Sequence, residues 1–289
     1  MRGLIVAAHG RRFIVESPDT GRTECVARGK KSSVICGDWV EFSMTSPGEG
    51  VIDKALPRSS LFFRSDQYQT KAIAANATLI VVVAAPVPSY SLELIQRCLV
   101  AATSQGLPAV IVLNKSDLPE HGEALGRLQA ISNLGYPILS LCAKLDISAL
   151  RNALEGHTAL MVGQSGMGKS TLLNALVPDA QVRTREISLS LDSGKHTTSH
   201  SELYRLNPNT ALIDSPGLQE FALVHLDQDA LQQAFPDFRP WLGRCRFRNC
   251  RHTAEPDCAL SDAATQGAIS PQRLKLFRQL LAESQPHRL

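Results

Sequence analysis

Gly163-Gln164-Ser165-Gly166-Met167-Gly168-Lys169-Ser170 fits the pattern G-x-x-x-x-G-K-[ST], with an apolar run at 159–162 before it and helical spacing after it. A glycine-rich turn between a strand and a helix lets backbone N–H groups point inward, and the helix N-terminus adds partial positive charge. Such a turn cradles phosphate oxygens. Lys169 would reach the β- and γ-phosphates, the Ser170 hydroxyl would hold Mg²⁺, and Thr171 completes the candidate nucleotide-binding set at 163–171.

The segments around this loop alternate strand and helix. Strand runs stand at 79–84, 109–113, 137–141 and 159–162, with helical segments at 91–105, 122–134, 147–154 and from 169 onward. Two more strands follow at 203–206 and 211–213, and the whole predicts an α/β domain with a mostly parallel sheet. Residues 1–66 have no helical period. Five short β-rich runs there (3–7, 12–16, 23–27, 38–42, 51–53), separated by turn clusters, predict a small barrel, of which the OB-fold is one choice. The stretch 58–70 reads as a linker and the polar stretch 177–201 as a mobile loop. From 236 the chain is rich in Arg and Cys and ends in a helix opened by Ser270-Pro271. The expected units are 1–66, 67–235 and 236–289.

Asn114-Lys115-Ser116-Asp117 follows the strand at 109–113. An N-K-x-D at the carboxyl end of a strand places Asp117 beside a bound base, where its oxygens accept from guanine N1–H and the exocyclic amine. Adenine has no such donor pair and would leave the carboxylate unpaired. Lys115 would lay its stem over the base, and Asn114 would hold neighbouring loops together. Cys142-Ala143-Lys144 is the candidate base loop.

Asp214-Ser215-Pro216-Gly217 is a D-x-x-G at the end of the strand at 211–213. Asp214 would hold Mg²⁺ through water, and the Gly217 N–H would touch the γ-phosphate. Within Gly194-Lys195-His196-Thr197-Thr198, Thr198 is the first choice to complete the Mg²⁺ shell and Thr197 the alternative. His196 either positions water and stabilises transferring charge or is a solvated loop residue. The place after Gly217 is Leu218, which cannot orient water, so intrinsic turnover is expected to be slow and to depend on a group supplied elsewhere.

Charge is uneven. Residues 1–66 carry 10 Lys/Arg against 8 Asp/Glu, 67–235 carry 11 against 14, and 236–289 carry 9 against 5. Basic flanks around an acidic centre suit an anionic partner, with ordinary surface charge the plainer alternative. The longest apolar run, 77–88, is broken by prolines and too short to span a bilayer, and 1–7 lack a signal-peptide core. A cytoplasmic, monomeric protein without membrane contact is the expectation. Cys25, Cys36, Cys98 and Cys142 sit among apolar neighbours, as buried thiols do. Cys245, Cys250, His252 and Cys258 instead form a closed set of three thiolates and one imidazole, expected for structural Zn²⁺. Arg244, Arg246, Arg248 and Arg251 interleave with it and either reach phosphates or form a solvated rim. In the last helix Leu274, Phe277 and Leu281 form a packing stripe beside Arg273, Lys275 and Arg278.

The motifs run N-K-x-D, base loop, phosphate loop, threonines, D-x-x-G, whereas ordinary GTPases place the phosphate loop first. In this order, and in Arg28-Gly29-Lys30, Gly37-Asp38-Trp39-Val40, 163–171, 194–198, 214–217 and the terminal cysteines, the chain resembles the RsgA (YjeQ) family of circularly permuted GTPases. The resemblance covers nearly the whole chain. It implies a circularly permuted P-loop GTPase domain flanked by an N-terminal OB-fold barrel and a small C-terminal zinc-binding domain. It also implies Mg²⁺ with GTP, a hydrolytic role for His196, and flanks that contact rRNA of the small ribosomal subunit during its maturation. Cys142 departs from the serine usual in the base loop, which leaves that backbone contact in place. Two other functions compete with a ribosome-stimulated GTPase. One is a nucleotide-regulated RNA-binding module with incidental hydrolysis, which Leu218 permits. The other is a P-loop kinase, against which the N-K-x-D speaks.

Overall fold

Alternation of apolar and polar residues gives the first five strands one wet and one dry face, and the dry face closes on itself. In the computed structural model, which describes residues 1–28, 34–65, 70–178, 201–215 and 223–284, these strands are β1 (Arg2–His9), β2 (Arg12–Ser17), β3 (Gly21–Ala27), β4 (Trp39–Ser46) and β5 (Glu49–Ala55). β1 pairs with both β2 and β4, which closes the barrel, and β3 runs parallel to β5. Ile5, Phe13, Val15, Cys25, Val40, Phe42 and Ile52 fill it.

The expected linker at 58–70 is instead the first arm of a hairpin, β6 (Leu61–Ser65) with β7 (Thr70–Ala75). The reason is tertiary: Phe62 is buried in the main core, and its partner strand of small residues carries little pattern of its own. This hairpin meets the barrel at the Gly37-Asp38 turn. Gly37 has φ +90°, and a Cβ there would collide with the Ala75 carbonyl, so only glycine lets the two chains approach. Asp38 is fully buried and takes a bidentate pair from Arg58 (Nε–Oδ1 2.6 Å, Nη2–Oδ2 2.7 Å) together with the Ile35 N–H.

The second sheet holds β8 (Leu79–Ala84), β9 (Ala109–Leu113), β10 (Ile138–Ser140), β11 (Thr158–Val162), β12 (Glu202–Asn207) and β13 (Thr210–Asp214) in the order β10-β9-β8-β11-β13-β12. All neighbours are parallel except β12, which returns antiparallel to β13. β8 and β9 are buried along their whole length, as helices on both faces of a parallel sheet require. The helices are α1 (Leu92–Ser104), α2 (His121–Ser132), α3 (Ser148–Leu154) and α4 (Lys169–Leu176). Ser91 caps α1 through its hydroxyl, as its residue type favours. Ala7 of β1 pairs with Glu202 of β12, so barrel and parallel sheet share one continuous hydrogen-bonded surface.

After β13 come α5 (Gln228–Gln233), a 3-10 helix (Pro236–Trp241), α6 (Ala259–Thr265) and α7 (Pro271–Glu283). Phe235, Phe238 and Phe277 form their aromatic centre. The predicted stripe of α7 is buried, and two of the three basic residues beside it are engaged within the protein. Arg273 is buried against Asp237 (2.7 Å) and Gln96, and Arg278 donates to the His252 carbonyl; Lys275 is left exposed. Arg97 of α1 grips Glu283 at 2.6 Å, which ties the end of α7 to the parallel sheet's helices. Among the described residues no helix is long and apolar enough to cross a membrane.

Removing Asp38 deletes the fully buried carboxylate that accepts from Arg58 and from the Ile35 N–H, and breaking one side of a buried pair costs about 3–5 kcal/mol. Asp38→Ala should lower the urea midpoint followed by Trp39 fluorescence by a matching amount; an unchanged midpoint would mean that the barrel joint does not depend on this pair.

Candidate functional site

Parallel strands deliver their carboxyl ends to one edge of a sheet, and three motifs arrive there together. The phosphate loop follows β11, N-K-x-D follows β9, and Asp214 closes β13, with β8 and β11 side by side between the others. Crevices of this kind are where open α/β sheets bind ligands.

The loop's shape depends on two glycines in particular. Gly163 (φ +152°) passes against the Val83 carbonyl, and Gly168 (φ +93°) passes against the Asn114 amide; a Cβ at either would overlap its neighbour. Lys169 Nζ donates to the carbonyls of Gly163 (2.7 Å) and Gln164 (2.8 Å), which holds the ammonium within the loop's curve. Burial lowers its pKa from the ordinary lysine value, opposed by Asp214.

Asn114 is buried and uses both ends of its amide. Nδ2 donates to the Met167 carbonyl at 3.0 Å, and Oδ1 accepts from the Ala143 N–H at 3.0 Å. Phosphate loop and base loop are thereby tied through one side chain. Lys115, in a left-handed conformation (φ +60°), donates to the carbonyls of Gly166 (2.9 Å) and Val87 (2.5 Å). Ser116 donates its backbone N–H to Leu141. Asp117 is exposed; a hydrogen bond from the Cys142 side chain, then a backbone N–H, and more weakly Lys144 and Lys115, hold its carboxyl below the ordinary range.

Residues 85–91 complete this wall, a contribution no motif announces. The Gln164 side chain accepts the Ser91 N–H at 2.6 Å, and Pro88 packs beside Gly166. Asp214 is the most perturbed carboxyl here. Burial pushes it up to about 6, with Lys169 pulling the other way and Glu202 adding to the rise. Its Oδ1 is buried and has no hydrogen-bond partner among the described residues. An orphaned buried carboxylate oxygen next to a phosphate loop fits a hydrated divalent cation, and Ser170 lies in the same loop. His196, Thr197, Thr198, Gly217, Leu218 and residues 179–200 of the expected mobile loop at 177–201 lie outside the described residues, as do Gly29 and Lys30.

The second constellation is metal-binding in form. The ligand atoms of Cys245, Cys250, His252 and Cys258 all lie within 4.8 Å of one another. His252 Nδ1 is 3.5, 3.6 and 3.4 Å from the three sulfurs. Bonds of about 2.1 Å to nitrogen and 2.3 Å to sulfur meeting at a tetrahedral angle separate the two atoms by about 3.5 Å, so the set can hold one metal ion. Burial, helped by Arg278 and opposed by Glu255, lowers the His252 pKa and favours the neutral ring a metal needs. At Cys258 burial raises the thiol, but hydrogen bonds from the Ser261 side chain and backbone and from the Leu260 N–H outweigh it and lower its pKa, whereas burial pushes Cys250 up to about 12. Around the knuckle, Arg244, Arg246, Arg248 and Arg251 are exposed, with Arg246 paired to Asp257.

An α/β sheet carrying these motifs in the order base, phosphate, D-x-x-G, with a barrel before it and a Cys₃His knuckle after it, is a circularly permuted P-loop GTPase fold. The RsgA GTPase family model matches residues 55–224, and the chain belongs to that family. A relative from Nitrosospira multiformis, named small ribosomal subunit biogenesis GTPase RsgA, is 50% identical over 290 residues, covering 100% of this chain and 93% of its own length. One of the same name from Neisseria meningitidis is 50% identical over 279 residues, covering 96% and 91%. The crystal structure of YjeQ from Thermotoga maritima superposes with a TM-score of 0.73 at 28% identity over 99% of both chains. YloQ, a circularly permuted GTPase, gives 0.68 at 26% identity over 99% of this chain and 96% of its own.

Prolonged chelation should remove one equivalent of metal per chain and collapse hydrogen-exchange protection in α6 and the first turns of α7, while β8, β9 and β11 stay protected. Full protection of α6 in metal-free protein would show that its packing stands without the ion.

Proposed function

We propose that this chain binds GTP in the crevice at the ends of β9, β11 and β13, hydrolyses it to GDP and phosphate, and uses the cycle to assist maturation of the small ribosomal subunit. The observation that carries the nucleotide site is the Asn114 amide, which joins the phosphate loop at Met167 to the base loop at Ala143. Separate reading heads for phosphate and base become one pocket only if something holds their spacing, and this side chain does so. Residues 163–171 cradle the phosphates, and Lys169 leaves the loop carbonyls to meet the β- and γ-phosphates as a catalytic cation. Asp117 reads guanine, Lys115 flanks the base, and the backbone of Ser116, Cys142, Ala143 and Lys144 lines it.

Ser170, Asp214 and Thr198 would hold Mg²⁺, which supplies charge neutralisation between the phosphates when bound. Gly217 contributes its N–H to the γ-phosphate, and His196 positions the attacking water. The Cys₃His set holds structural Zn²⁺. The names of the 50% identical relatives support the small subunit as partner, and the exposed arginines of the knuckle and the barrel's basic charge supply surfaces for rRNA phosphates. On this reading the protein works in the cytoplasm as a monomer.

Asp117→Asn removes the carboxylate that accepts two guanine donors. Hydrogen bonds to charged groups contribute about 1.5–3 kcal/mol each, so GTP affinity should fall by roughly 10²-fold or more while xanthosine triphosphate binding improves. Calorimetric titration of both nucleotides checks this, and unchanged GTP affinity would remove Asp117 from the site. Purified small subunits should raise the GTPase rate at least about tenfold, since Leu218 leaves water orientation to other groups. His196→Ala should abolish most of that rise in single-turnover assays. A His196→Ala protein stimulated as well as the wild type would instead favour a nucleotide-regulated RNA-binding module with incidental hydrolysis.

A further inference from the structure

Of the contacts around the Cys₃His knuckle, those from α5 have no role in the site described above. Among the described residues α5 is the first helix after the strand that ends in Asp214, and it packs on both α1 and α7. Two of its glutamines face the knuckle. Gln228 Nε2 donates to the Cys250 carbonyl at 2.8 Å, and Gln232 Oε1 lies 3.2 Å from His252 Nε2.

The orientation of the second amide is determined by a third group. Gln232 Nε2 donates to Asp229 Oδ1 at 3.0 Å, so its oxygen is the end turned to the imidazole. A carbonyl oxygen can only accept, which places the ring proton on Nε2 and leaves the Nδ1 lone pair facing the three sulfurs. The reversed amide would present N–H to Nε2, drive the proton onto Nδ1, and occupy the position a metal needs. His252 itself sits in a left-handed conformation (φ +60°), with its carbonyl held by Arg278 at 2.6 Å and its ring edge-on to Phe277 at 6.0 Å. Backbone and ring are therefore each held by a neighbour, and the remaining freedom, the tautomer, is decided from α5.

We infer that Gln232, oriented by Asp229 and assisted by Gln228, is a positioning residue that makes metal affinity at the knuckle depend on the placement of α5. α5 begins at Gln228, beyond the strand that ends at Asp214, and the inference extends to a coupling between nucleotide binding and metal binding. Coupling of this sort is reciprocal: a nucleotide state that shifts α5 alters the knuckle's hold on its ion, and loss of the ion alters nucleotide affinity by the same factor. The coupling rests on the GTP site proposed above; the tautomer control does not.

The test uses full-length protein loaded with Zn²⁺ and follows transfer of the ion to a chromogenic chelator. It is run without nucleotide, with GDP and with a non-hydrolysable GTP analogue, and nucleotide binding is titrated in parallel. Gln232→Met, similar in size but only a weak acceptor through its thioether, should weaken Zn²⁺ affinity about 10- to 100-fold, the range for a lost second partner of a metal-bound histidine. Gln232→Glu, which keeps the acceptor, should stay within about threefold of the parent protein. The parent's transfer rate should differ at least threefold between nucleotide states, and that difference should vanish in Gln232→Met and in Gln228→Ala/Gln232→Met. Zn²⁺ affinity unchanged in Gln232→Met overturns the tautomer control, and a nucleotide response that is absent from the parent or persists in both variants overturns the coupling. Failure of the parent to bind GTP at all is seen directly in the parallel titration; it would overturn the GTP site and the coupling, while the zinc measurement still decides the role of Gln232.

Discussion

One amide side chain holds the nucleotide crevice to its dimensions. Asn114 is almost wholly buried, and a buried amide left unpaired costs about 1–3 kcal/mol, so its two bonds to Met167 and Ala143 constrain both loops strongly. Gly168 is part of the same arrangement, since any side chain there would displace the Asn114 amide. Lys115 adds a second tie, from Gly166 to Val87, and Gln164 a third, to the start of α1. The phosphate loop is thus held from the base side by strands that precede it in the chain. In a permuted fold that order matters little, because the β8–β11 pairing restores the spatial neighbours whatever the chain direction.

Side-chain ties of the same kind govern the flanking units. The barrel is joined to the parallel sheet by a shared strand pairing at Ala7 and Glu202 and by the Asp38–Arg58 pair under the Gly37 turn. The C-terminal unit is joined by Arg97–Glu283, Arg273–Asp237 and the aromatic cluster. Buried, bidentate arginine pairs are demanding in geometry, and they fix orientation more than they add stability. A molecule whose ends are proposed to touch RNA while its centre cycles nucleotide needs that kind of junction.

Where the chain could be read and where it could not follows from the range of the interactions. Strand and helix positions in the parallel sheet were legible, because β8, β9 and β11 are continuous apolar runs bounded by glycine and polar turns. The hairpin at 61–75 was not: its register depends on Phe62 reaching a core assembled from elsewhere. The internal pairing of Arg273 and Arg278 was not legible because their partners, Asp237 and the His252 carbonyl, carry no periodic signal.

By themselves the residues determined the chemistry of this protein. A G-x-x-x-x-G-K-S turn, an N-K-x-D and three cysteines with a histidine each act within a few residues of chain, and local spacing suffices to state what each can bind. Tertiary structure decided what those pieces share. It brought Asn114 between two loops distant in sequence, left an Asp214 oxygen buried without a partner among the described residues, and set Gln232 against the ring nitrogen that faces away from the three sulfurs. The division has a physical cause: motif chemistry is carried by short-range backbone geometry, while pairing, burial and tautomer depend on groups that meet only when the sheet and its flanking helices have packed.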